Sequence, residues 1–126
     1  MFGDRYNLLD TSCSGTGQYV TAVGPVSSFP TLRNQYSDDF GETWKLSTQV
    51  SISPDNTLKQ SYDGQYVAGG RTSGLYISSD YGATFTVVNG VVGDYGTSMS
   101  NTGQFIFAER IFNPAGGYLS SDFGAS

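Results

Sequence analysis

An all-β chain built as a β-propeller of four-stranded antiparallel blades is the architecture expected here, and three observations lead to it. A signature recurs three times, as Ser37-Asp38-Asp39-Phe40-Gly41-Glu42-Thr43-Trp44, Ser78-Ser79-Asp80-Tyr81-Gly82-Ala83-Thr84-Phe85 and Ser120-Ser121-Asp122-Phe123-Gly124-Ala125-Ser126. Its spacing is even, because the shared aspartate returns after 41 residues and then after 42. A second marker precedes each copy: Ser14-Gly15-Thr16-Gly17-Gln18-Tyr19-Val20, Ser61-Tyr62-Asp63-Gly64-Gln65-Tyr66-Val67 and Ser100-Asn101-Thr102-Gly103-Gln104-Phe105-Ile106. Self-similarity at such a period, with turn residues at fixed offsets and no sustained helical periodicity, is the mark of a blade repeat.

Each element of the unit has a local cause. Thr16-Gly17, Asp63-Gly64 and Thr102-Gly103 are hairpin-type turns in which glycine supplies a positive φ. In the best-formed copy, Thr84 to Val88 reads as a strand and Asn89-Gly90 as a turn. Asp94 to Ser100 is the next strand, followed by the Asn101-Thr102-Gly103 turn. Gln104 to Glu109 follows, then a loop through Asn113-Pro114-Ala115-Gly116, then the strand Gly117 to Ser120 that enters the last signature.

The signature itself reads as a structural clasp. Ser37 and Asp39, Ser78 and Asp80, and Ser120 and Asp122 can hydrogen-bond the backbone of a tight turn. Gly41, Gly82 and Gly124 permit the left-handed residue such a turn needs. Thr43, Thr84 and Ser126 close the motif, and Trp44 or Phe85 then starts the outer strand and can pack under the turn. Asp38, Asp39 and Glu42 hint at calcium, but their spacing is not that of an EF-hand loop and the other copies lack the extra acids, so no metal is expected.

Composition narrows the function classes. The 126 residues amount to one domain by length, taken here as a single half-propeller over residues 1–126. Eleven acids against six bases, a net charge of −5, argue against a nucleic-acid or anionic-membrane surface. No apolar run approaches the ~20 residues of a membrane span, and Met1 to Asp10 has no signal-peptide pattern. The single Cys13 forms no internal disulfide and reads as a small buried strand residue. With no histidine, His-based triads and nearly all zinc or copper sites are removed. No cofactor is expected.

The three signatures resemble the Asp-box, or bacterial neuraminidase, repeat superfamily, which includes sialidases, some xyloglucan hydrolases, sortilin-type receptors and photosystem II assembly factors. The resemblance covers essentially the whole chain. It implies a β-propeller in which the box joins the third and fourth strands of a blade, usually away from the ligand face. It carries fold, not function. Sialidases would also share an aromatic-Arg-Ile-Pro motif, and the nearest match, Glu109-Arg110-Ile111-Phe112, lacks both the aromatic and the proline. Four arginines (Arg5, Arg33, Arg71, Arg110) and two glutamates (Glu42, Glu109) are present, with no spacing that assembles an arginine triad or a facing carboxylate pair.

The leading expectation is therefore a non-enzymatic scaffold for binding or assembly, with a lectin-like propeller second and a sialidase-like hydrolase third. Arg71 and Arg110 each follow the Gly-Gln marker by six residues and should end the second strand, opposite the boxes, where cations suit an anionic ligand; the first copy has Gly24 there. Phe112 and Asn113, with Phe29 in the first copy, are candidate loop contacts for a glycan or for another subunit.

Three blades do not close a ring of the usual four to eight. Two chains would give six, so a homodimer is expected. The third copy stops before its outer strand, while Met1 to Asn7 precede the inner strand Leu8 to Ser14. The expectation is that the chain holds three whole repeats entered at a shifted point, and that Met1 to Asn7 complete the last blade of a partner; the alternative is a piece of a longer array, or a designed or evolved half-propeller. The residues do not name a compartment; the scaffold reading favours an extracellular or virion-associated setting.

Overall fold

A computed structural model of the chain describes residues 9–26, 29–48, 57–71, 74–88, 96–110 and 116–126. All the regular structure in them is β. The first sheet orders β1 (Asp10–Cys13), β2 (Val20–Val26), β3 (Phe29–Ser37) and β4 (Lys45–Leu46) as an antiparallel meander. The second repeats it with β5 (Thr57–Gln60), β6 (Val67–Arg71), β7 (Gly74–Ser78) and β8 (Thr86–Val88). The third comprises β9 (Thr97–Met99), β10 (Ile106–Arg110) and β11 (Gly116–Ser120), so that among the described residues β11 is its outer edge. The expected blade order is present, and no helix among the described residues is long and apolar enough to cross a membrane.

Register explains how the blades stack. Residues paired across antiparallel strands share a face, and the next residue along lies on the opposite one. In the middle blade, Leu58, Gly69 and Tyr76 form one rung, while Lys59, Ala68 and Ile77 form the neighbouring rung on the other face. The first face joins Val23 of the first blade in a core of Val23, Leu58, Val67, Tyr76 and Phe85. The second joins the third blade in a core of Ala68, Leu75, Ile77, Ile106 and Ala108. The middle blade is thus apolar on both faces, and β7 is buried along its whole length.

The end blades are covered on one side. On the third blade Ile106 and Ala108 turn inward, whereas Phe105, Phe107 and Leu119 are exposed. Cys13 corrects the expectation of a buried thiol: it is exposed in β1, paired with Val20. Ser12 and Thr21, one residue over, lie on the face turned to the middle blade, where Thr21 packs beside Gly82. The strand's alternation therefore sends Cys13 to the side that no described blade covers.

Several strand boundaries also differ from expectation: β10 runs Ile106–Arg110 rather than Gln104 to Glu109, and β11 starts at Gly116 rather than Gly117. The outer strand of the middle blade begins at Thr86, because the Thr84 N–H is taken by the Asp80 carboxylate and Thr84 makes only a parallel bridge to Thr48. The inner strand of the third blade is described from Thr97; Asp94, like the Asn89-Gly90 turn and Met1 to Asn7, lies outside the described residues.

Candidate functional site

The first two boxes join the third and fourth strands of their blades, the third follows β11, and each is built around its first serine. Ser37 Oγ donates to Asp39 Oδ1 at 2.8 Å and accepts the Gly41 N–H at 2.9 Å and, more weakly, the Asp39 N–H at 3.3 Å. Asp39 Oδ1 also accepts the Thr43 N–H at 2.8 Å, and its other oxygen accepts the Thr43 hydroxyl. The pattern returns around Ser78, Asp80, Gly82 and Thr84, and around Ser120, Asp122, Gly124 and Ser126. Trp44 adds a bond from its indole N–H to the Gly41 carbonyl at 2.9 Å. Phe85, at the same position, instead enters the core between the first two blades.

These bonds hold the carboxylates ionised. The Thr43 hydroxyl, its backbone N–H and the Ser37 hydroxyl lower the Asp39 pKa to about 2. The hydroxyls of Ser126 and Ser120, with the Ser126 N–H, bring Asp122 to about 2. Burial pushes Asp80 upward, but the Thr84 hydroxyl, the Thr84 N–H and Ser78 outweigh it, leaving a lowered value. Hydrogen bonds to the charged form favour that form.

The boxes impose an unusual backbone. Phe40, Tyr81 and Phe123 have φ of 60°, 62° and 60°, followed by Gly41, Gly82 and Gly124 at 83°, 88° and 82°. Two successive left-handed residues, the first aromatic, tilt that ring out of its own blade. A left-handed non-glycine residue costs roughly 1–2 kcal/mol. In the second and third boxes a ring contact contributes against this cost, as Tyr81 stacks on Tyr19 of the preceding blade at 4.2 Å and Phe123 meets Tyr66 at 4.7 Å. Phe40 takes the same φ while 67% exposed, so the serine's bonds within the turn hold this backbone in every copy.

Between blades these contacts form a repeated clasp that sequence reasoning missed. Tyr19 lies between Tyr81 and Gly64, where an added Cβ would sit 2.8 Å from the Tyr19 Cβ; Tyr66 lies likewise between Phe123 and Gly103. Beside it runs a backbone ladder, with Gly15 N–H donating to Tyr62 O and Tyr62 N–H to Asn101 O, both at 2.7 Å. The signal was present in the two markers repeating in step. What it did not say is that the aromatic of one marker reaches the box of the following blade.

At the end opposite the boxes, Arg71 and Arg110 end β6 and β10, the second strands of their blades, opposite Gly74 and Gly116. In the first blade Gly24 faces Arg33. The glycine in the first copy is therefore no gap, because an arginine stands across the same rung. Phe29 begins β3 and pairs with Val26 beyond a bulge. Phe112 and Asn113 lie outside the described residues. Asp38 pairs with Lys45 at 2.6 Å, and among the described residues no three acidic or cysteine side chains gather around a common point.

A family model described as the BNR/Asp-box repeat matches residues 35–46, the first box. No curated protein sequence matches the chain. Among solved structures, the chain is similar to the GH74 xyloglucanase from Xanthomonas campestris, with a TM-score of 0.73 at 17% identity, covering 94% of this chain and 22% of that one. A GH74 enzyme from Niastella koreensis gives 0.67 at 18% identity, covering 94% and 22%. YCF48 from Cyanidioschyzon merolae gives 0.62 at 14% identity, covering 100% and 37%. The chain thus spans well under half the length of each of these structures. Box, blade order and structural neighbours agree: the chain is an Asp-box repeat protein of the β-propeller type.

Proposed function

We propose that the chain is a non-enzymatic propeller scaffold for binding or assembly whose ring is closed by a second copy. The observation that carries this reading is the outer face of the third blade. Phe107 and Leu119 (39% and 67% exposed) stand there in the positions that Ala68 and Ile77 occupy, buried, in the middle blade. Apolar patches of this kind mark interaction sites, and a sheet edge such as β11 invites pairing. Two copies supply six blades, within the usual range. Met1 to Asn7 are then the strand that pairs with β11 of the partner. Light scattering should give twice the 13.5 kDa chain mass; a folded monomer at micromolar concentration refutes the closure, and removing Met1 to Tyr6 should abolish it.

The non-enzymatic part is supported at the three box carboxylates. Asp39, Asp80 and Asp122 are bound within their turns and held below the ordinary aspartate value, the opposite of what a general acid requires. The fold is neutral on the point, since it is shared with glycoside hydrolases and with YCF48. Turnover of a sialic acid or glucan reporter would refute this part. Arg33, Arg71 and Arg110, on one rung of the three blades, are the residues proposed to meet an anionic ligand.

A carbohydrate-binding role is the second reading, favoured by a groove of about 430 Å³ lined by Tyr62, Asp63, Asn101 and Thr102. An exposed tyrosine beside amide, carboxylate and hydroxyl groups offers a sugar a stacking face and hydrogen bonds. A glycan array, with signal lost in Tyr62→Ala, tests it.

A further inference from the structure

We infer that the two end blades are the two halves of one seam, in which Phe105 of one copy enters a slot between Gly17 and Phe40 of a second copy. The inference rests on the closure by a second copy proposed above and specifies its contacts.

The two blade junctions inside the chain define the rule. Tyr19 fills the slot between Gly64 and Tyr81, and Tyr66 fills the slot between Gly103 and Phe123. By the repeat, the third member of the Tyr19 and Tyr66 series is Phe105, and it is 47% exposed. The remaining slot is on the first blade. Phe40 is 67% exposed with the same left-handed backbone as Tyr81 and Phe123, and a Cβ on Gly17 would meet no atom within 4 Å. The insert and the slot therefore lie at opposite ends of the same chain.

Two further series point the same way. Gly82 packs under Tyr36, and Gly124 under Ile77, each from the preceding blade. The next member on that side is Leu119, and the next glycine is Gly41, whose added Cβ would meet only Trp44 of its own box. The backbone ladder that runs Gly15 to Tyr62 to Asn101 continues from the Asn101 N–H of one copy to the Gly15 carbonyl of the next. The seam is thus a continuation of two junctions already formed, with every contact residue carried by this chain. A second copy is the occupant that supplies them all. Proximity alone forces none of this: an end blade of a non-repeating sheet stack would present unrelated residues.

The test uses the full chain with Cys13→Ser, because Cys13 is exposed. Phe40→Cys and Phe105→Cys are introduced singly and the two variants co-expressed. A short bis-maleimide should link 40 to 105 in a two-chain product, mapped by mass spectrometry. Each variant alone should give no linked product. A dimer by light scattering that yields no 40-to-105 link, or yields only like-with-like links, overturns the seam and leaves the scaffold reading standing. A monomer throughout overturns both. As a check that does not depend on cross-linking, Phe40→Asn should weaken the dimer by roughly tenfold, the equivalent of one aromatic pair. At concentrations too low for association it should leave the chain's own urea midpoint unlowered, because asparagine tolerates the left-handed backbone; a lowered midpoint there with unchanged dimerisation counts against the seam.

Discussion

Ser78→Ala is the sharpest test of how the boxes hold the blades. Ser78 is 1% exposed and is the hub of the middle box. Its hydroxyl accepts the Gly82 N–H at 2.9 Å and the Asp80 N–H at 3.3 Å, and donates to Asp80 at 2.8 Å. Removing it strands a buried Gly82 N–H, which costs about 1–3 kcal/mol. The longer Asp80 bond adds little. The lost bond to the carboxylate contributes about another 1 kcal/mol, because water and Thr84 still reach Asp80. The expected loss is about 2–4 kcal/mol, a large share of the roughly 5–15 kcal/mol that holds a domain folded. Urea unfolding of wild type and variant at neutral pH, compared at equal slope, measures it. Thr84→Val, at the exposed rim of the same box, should cost roughly 0.5–1.5 kcal/mol. A Ser78→Ala loss below that of Thr84→Val would refute the hub argument.

Acid should loosen the boxes together. Asp39 and Asp122 lie at about 2 when folded, and Asp80 is also lowered from the ordinary 3.8. Their stabilisation is full above the ordinary value and is lost as pH falls through the folded one. Urea midpoints should hold from pH 7 to about 5 and fall between about 4 and 2, less steeply in Asp80→Asn. Asn34 should be improvable: it is buried, neither its Nδ2 nor its Oδ1 has a partner among the described residues, and the same position in the middle blade is Leu75. Asn34→Leu should stabilise by about 1–3 kcal/mol in thermal or urea melts. Gly103→Ala and Gly17→Ala, both at positive φ, should differ when measured at concentrations too low for association. The first meets Tyr66 and should cost about 2–4 kcal/mol; the second meets only the backbone penalty of roughly 1–2 kcal/mol. Equal losses would contradict the clasp.

Much of the molecule was legible in the chain because a repeat constrains itself. The box serines and aspartates are short polar groups whose bonds stay within five residues, so sequence alone could assign them to a turn. The Gly-Gln turns and the strands after them follow from the same local chemistry. Cys13 was misjudged because its burial depends on which side of β1 a neighbouring blade covers, and residue type does not carry that. Arg33 was overlooked because it occupies the cation's rung from the facing strand, an equivalence that only the pairing of Gly24 with Arg33 reveals. The clasp of Tyr19 on Tyr81 joins residues 62 positions apart, each belonging to a marker already noticed.

By itself, then, the sequence determined the blade: its four-strand rhythm, its box and the aspartates that hold it. These are short-range effects, written in spacing and in the conformational needs of individual turns. Only the tertiary structure decided how blade meets blade. It turned the box aromatics out through a left-handed backbone, seated them on the tyrosines of the preceding blade, and left Phe40 and Phe105 exposed at opposite ends. Packing between sheets depends on which alternate face each residue takes and on what lies across it, and that information exists only once the strands are paired and stacked.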